Sequence, residues 1–161
     1  HLLFSLAFPD AKKKVFKVFN EIEDAVLSGE IEAGVIIHEN RFTYQLRGLH
    51  KIMDLGEYWE ETTGAPIPLG GIIARKALAP SIISEVDQLI KKSILYAFTH
   101  HYEQLTEYVK EHAREMKEDV MRRHIDLYVN NYSIDRGLEG KKAIRLLLDT
   151  YKQLNASSKE Q

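Results

Sequence analysis

The chain has 161 residues, 44% of them hydrophobic, and a formal net charge of −2. That is enough apolar material for one domain or two small lobes, and acids and bases mixed along the chain exclude a strong non-specific pull on nucleic acid or anionic membranes. No cysteine is present, which excludes disulfides, thiolate nucleophiles and thiolate metal sites; no apolar run approaches the length needed to cross a bilayer.

The chain opens on an apolar stretch, residues 2–8, that reads as the second half of an amphipathic helix closed by Pro9 and Asp10. Residues 15–19 alternate like a short strand. Asn20 can cap a helix in which Ile22, Ala25, Val26 and Leu27 share a face before Ser28 and Gly29 stop it. Residues 31–37 read as the next strand, and their apolar run from Ala33 to Ile37 is as expected of a parallel strand covered on both faces, so strand, helix and strand form one right-handed βαβ unit. Residues 49–55 and 72–78 also read as strands. Between them lie a short acidic helix ending at Gly64 and a Pro/Gly-rich segment. Beyond Pro80 the pattern turns helical. Ser81 can cap a long helix striped by Ile82, Val86, Leu89, Ile90, Ile94 and Phe98. Tyr102, Leu105, Val109 and Met116 mark a second helix, Val120, His124, Ile125 and Tyr128 a third, and Ala143, Ile144, Leu147 and Leu148 a fourth. The fold class expected is α/β, with residues 1–72 as a partial α/β lobe and residues 73–161 as a crossover strand and C-terminal helices.

The richest segment is Gly34-Val-Ile-Ile-His-Glu-Asn-Arg-Phe-Thr-Tyr44. A strand ending in a histidine places an imidazole where ligands bind in open α/β sheets, with a pKa suited to proton transfer. His38 is therefore the candidate general base, set against the plainer reading of a structural strand-end residue. Arg41, Thr43 and Tyr44 can bind a carboxylate or sugar hydroxyl, Arg41 by a bidentate pair; the plainer reading gives Arg41 a surface acid as partner and has Tyr44 pack. Leu69, Gly70 and Gly71 let backbone N–H groups approach a ligand, or else form a simple crossover. No zinc-protease spacing follows His38, since position 42 is Phe42, and His100, His101, His112 and His124 fall at intervals that do not build a metal site.

The segments from Ser28 to Tyr44, Asp54-Leu-Gly-Glu-Tyr-Trp-Glu-Glu-Thr-Thr-Gly64, Pro66-Ile-Pro-Leu-Gly-Gly71 and Tyr128-Val-Asn-Asn-Tyr-Ser133 closely resemble the 1,4-dihydroxy-6-naphthoate synthase family of the futalosine route to menaquinone. The resemblance implies a type II periplasmic-binding-protein-like two-lobe architecture. It also implies conversion of cyclic dehypoxanthinyl futalosine to 1,4-dihydroxy-6-naphthoate, without metal or organic cofactor. The family's base is the histidine of the Ile-Ile-His-Glu string, here His38, and Gly70 and Gly71 correspond to cleft-lining backbone. The substrate is a small molecule; neither nucleic acid nor membrane is expected as partner, and the location expected is cytoplasmic.

Family members carry further substrate-contacting motifs that would precede His1. The chain is accordingly expected to lack an N-terminal segment and to be inactive alone, and either to form a homodimer or to associate with that segment. Two alternatives are a non-catalytic solute-binding protein for a small carboxylate and the related chorismate dehydratase; the His-Glu-Asn-Arg-Phe-Thr-Tyr string favours the naphthoate synthase.

Overall fold

The computed structural model describes residues 1–37, 39–113 and 117–157. Among the described residues eight α-helices follow in chain order: α1 Leu2–Ala7, α2 Ile22–Leu27, α3 Leu55–Thr63, α4 Pro80–His101, α5 Glu107–His112, α6 Glu118–Tyr128, α7 Asn131–Ile134 and α8 Gly137–Ser157. Among the described residues there is no β-strand. The α/β expectation is therefore corrected, and with it the sheet-based periplasmic-binding-protein-like architecture. The segments read as strands carry residues suited to strands, but among the described residues none of them forms a β-ladder. A strand exists only through a ladder to a neighbour, and the backbone bonds that flank these segments are local turns, such as Glu21 N–H to Val18 O and Ile31 N–H to Ala25 O. Many of their apolar side chains stay in solvent, Phe16 and Ile73 being 87% and 94% exposed.

The chain divides into two compact units, one of His1–Ile67 with Leu146–Gln161, the other Pro68–Arg145. In the first, α1 packs against α3, Trp59 is buried, and the Tyr58 hydroxyl donates to Leu6 O at 3.4 Å. α3 has strong end signals. Asp54 accepts from the N–H groups of Gly56 and Glu57 at its start, and Gly64 closes it at φ +66°, where a side chain would be strained. Residues 33–37, expected as a strand, instead cross α2 as irregular chain, with Gly34 against Ile22 and Val26.

In the second unit Leu105, Val120, Met121 and Ala143 are buried, and α7 packs against α4. α4 begins with Pro80 in its first turn, with Ala79 as N-cap and no side-chain cap bond. Proline lacks the N–H that a helix start leaves orphaned and has a helical φ already, so the helix begins before Ser81. The second helix read from the sequence is shorter than expected, α5 alone, and Met116 lies outside the described residues. α7 was not expected; it is a single turn closed by a reciprocal capping box between Asn130 and Ser133.

Candidate functional site

Position 38 lies outside the described residues; the chain on its C-terminal side is defined. Glu39–Phe42 and Tyr44–Arg47 are two consecutive 3₁₀ turns. Thr43 joins the two turns: its N–H donates to Asn40 O at 3.0 Å and its carbonyl accepts from Leu46 N–H at 2.9 Å. Gly48 ends the second turn at φ +78°.

Two arginines fasten this double turn. Arg41 Nη2 donates to Asp54 Oδ2 at 2.7 Å, a partly buried pair, and its guanidinium lies 5.6 Å from the centroid of the Phe42 ring. Arg47 donates through Nη1 to Glu23 Oε2 at 2.8 Å and through Nη2 to Asp24 Oδ1, tying the second turn to α2. Hydrogen bonds to Asp24 and then Glu23 hold the Arg47 guanidinium above its ordinary pKa. Glu23 is itself buried, and its Oε1 has no hydrogen-bond partner among the described residues; the charge of Arg47 is what makes a carboxylate tolerable there.

Of the residues singled out in the sequence, Arg41, Thr43 and Tyr44 thus share one half-buried turn segment in the first unit. Arg41 spends at least one N–H on Asp54, while the Tyr44 hydroxyl accepts from its neighbour Gln45 at 3.2 Å. Leu69, Gly70 and Gly71 belong to the second unit and are exposed. Neither glycine has a positive φ, and a Cβ added to either would meet nothing within 4 Å. The fold makes no demand for glycine at these two places.

The sequence reading did not find the acids that anchor the arginines. Asp54 was assigned to the end of a strand, although Asp54 followed three residues later by Glu57 is a helix-start signature. Glu23 and Asp24 carry no such signal, because nothing local says that Arg47, 24 and 23 positions on, will reach them. Among the described residues no three His, Asp or Glu side chains gather in a way that could hold a metal ion, and no helix is long and apolar enough to cross a membrane.

The chain belongs to the menaquinone biosynthesis family, a model of which matches residues 1–153. It is 44% identical over 129 residues to 1,4-dihydroxy-6-naphtoate synthase of Thermus thermophilus, covering 80% of this chain and 47% of that protein. It is 48% identical over 130 residues to the enzyme of the same name from Streptomyces coelicolor, covering 81% of this chain and 46% of that protein. The chain therefore spans about half the length of these two relatives. Its backbone is similar to a crystal structure of an Archaeoglobus fulgidus protein, with a TM-score of 0.86 and 30% identity over 96% of this chain and 58% of the other.

Proposed function

We propose that this chain carries the proton-abstracting base of the 1,4-dihydroxy-6-naphthoate synthase reaction, and that the base is His38. The substrate on this reading is cyclic dehypoxanthinyl futalosine. Removal of one of its protons by the imidazole starts an elimination that ends in an aromatic ring. Aromatisation supplies driving force, so the work left to the protein is to place the substrate and accept the proton. The observation that carries the reading is the near-half identity to two synthases over four-fifths of the chain.

The local structure supports the same assignment. A base needs a neighbourhood that does not drift, and the four residues after position 38 form a turn fastened by the Arg41–Asp54 pair. Arg41, Thr43 and Tyr44 are assigned to substrate contact from that turn. Arg41 has five N–H donors, and the bond to Asp54 occupies one. Leu69, Gly70 and Gly71 are assigned to backbone contact, since glycines with no conformational or steric duty leave room for close approach of a ligand.

The test is formation of the naphthoate product, followed chromatographically, from the purified chain and from its His38→Ala variant, each alone and supplemented with the remaining part of a full-length relative. Product from the wild-type mixture and none from the variant supports the assignment. Turnover that survives His38→Ala removes His38 as the base, and turnover of chorismate instead reassigns the substrate.

A further inference from the structure

Among the described residues Glu23 is the one buried charged side chain, 4% exposed on α2. Its Oε2 accepts from Arg47 Nη1 at 2.8 Å. Packing gives no reason for an acid there. Ala25, two residues on, is equally buried, and an apolar side chain in place of a buried ion-pair member is often neutral or stabilising when the partner is not left stranded. What the acid adds over an apolar residue is direction. A charge-assisted hydrogen bond fixes where its partner stands, which a contact between methyl groups does not.

The partner closes the turn Tyr44–Arg47. Its guanidinium meets two acids at once, Glu23 through Nη1 and Asp24 through Nη2. The Asp24 arm is a surface pair, with side chains 41% and 68% exposed, and contributes little by itself. The Glu23 arm ends on a buried carboxylate. From Arg47 the restraint passes back along the chain: Leu46 N–H donates to Thr43 O, and Thr43 N–H to Asn40 O, so Thr43 is bonded into both turns. The double turn thus has two anchors, Arg41 on Asp54 and Arg47 on Glu23 and Asp24. Arg41 is itself assigned to substrate, so its anchor is shared with the ligand; that of Arg47 is not. All of these residues belong to one compact unit.

We infer that Arg47 is a positioning residue for the reaction, acting through Glu23 to hold Thr43, Tyr44 and the chain that follows position 38 at a fixed place on α2. The inference rests on the reaction assigned above.

Arg47→Ala, Arg47→Lys and Glu23→Gln are each compared with wild type in the product assay, in urea unfolding and in amide hydrogen exchange. Arg47→Ala is expected to lower kcat by about tenfold to a hundredfold and to raise KM, because base and substrate contacts share the loosened segment. A purely structural loss of folded protein lowers kcat and leaves KM alone. Exchange at the Thr43 and Leu46 amides should quicken, while exchange at Gly64, whose amide closes α3, stays as it was.

The other two variants decide the matter if the alanine chain does not fold. Lysine keeps the charge but is a point donor, not a planar fork; glutamine keeps an acceptor without a buried charge. Both should unfold near the wild-type midpoint and still lose at least about fivefold in kcat/KM. Variants whose kcat/KM follows their unfolding midpoint, or that leave KM and exchange unchanged, overturn the inference. His38→Ala runs in parallel: turnover that survives it removes the base reading, whereas an inactive His38→Ala beside a fully active Arg47→Ala removes only the positioning role. A wild-type mixture that makes no product counts against the base reading, and exchange alone then upholds or overturns the hold of Arg47 on the turn.

Discussion

Arg41 and Asp54 are joined across 13 positions of sequence by one ion pair, Nη2 to Oδ2 at 2.7 Å, while Asp54 Oδ1 accepts from the N–H groups of Gly56 and Glu57. One carboxylate therefore does two jobs. It starts α3 and pins the turn that follows position 38.

The two jobs separate by substitution. Asp54→Ala leaves the helix start uncapped and Arg41 without its acid; a cap contributes about 1 kcal/mol and a partly exposed ion pair less. Loss of about 1–2 kcal/mol is expected. Asp54→Asn keeps the capping oxygen but puts an amide NH2 in place of the oxygen that accepts from Arg41, so it loses the ion pair and its hydrogen bond while keeping the cap, and its loss should be about 0.5–1 kcal/mol. Urea unfolding followed by Trp59 fluorescence measures both, Trp59 being the single tryptophan and part of α3. Equal losses would show that Asp54 acts through the ion pair alone.

Trp59 supplies a second prediction. It is 1% exposed, and its Nε1 has no hydrogen-bond partner among the described residues. Trp59→Ala opens a large cavity beneath α3 and should cost about 3–5 kcal/mol. Trp59→Phe removes an indole N–H that was desolvated for no return, so its cost should stay under about 1.5 kcal/mol. Circular dichroism against denaturant reads both variants; a Phe variant as unstable as the Ala variant would mean that the indole nitrogen finds an acceptor in solution.

Helices were legible in the sequence because their signal is local. The stripe from Ile82 to Phe98, the glycine after Thr63 and the run around Leu147 each report a periodicity or cap that the chain satisfies within itself. The strand readings failed for the converse reason. Val15, Phe16, Ile72 and Ile73 express a preference for a pleated, half-covered surface, but a strand needs a partner, and none of the described residues supplies one. Of the site, the cluster Arg41, Thr43 and Tyr44 was visible as one polar turn. Its anchoring was not, since Arg47 reaches Glu23 and Asp24 through the fold and not through sequence proximity.

Tyr102 gives a pH dependence. Its hydroxyl donates to Asp126 Oδ2 at 3.4 Å, and the negative charge of Asp126, followed by that bond and by burial, raises its pKa above the ordinary tyrosine value. The folded state thus prefers the neutral phenol more than the unfolded chain does. The stabilisation is complete below the ordinary value of about 10 and is lost as pH rises through the higher folded value. Asp126→Asn should bring the Tyr102 phenolate absorbance in at lower pH, and should flatten the fall of melting temperature above about pH 10. The Tyr102→Phe variant, lacking the titrating group, identifies which part of the absorbance belongs to it. An unchanged phenolate titration in Asp126→Asn would dissociate the two residues.

The glycines separate fold from function. A Cβ on Gly34 would overlap Cγ2 of Ile22, whose β-branch cannot swing aside. Gly34→Ala should therefore cost about 1–3 kcal/mol by overpacking, and Ile22→Ala in the same chain should recover part of that loss, as coupled neighbours do in a double-mutant cycle. Gly70 and Gly71 face open space without positive φ, so alanine at either should leave stability unchanged or raise it by a few tenths of a kcal/mol through the unfolded state. If the backbone there approaches substrate, the same alanines weaken substrate binding in calorimetric titration while the unfolding curve stays put. Alanines at 70 and 71 that change neither property would leave those glycines without a role in the site, whereas a Gly34→Ala chain as stable as the parent would mean that residues 33–37 do not lie against α2.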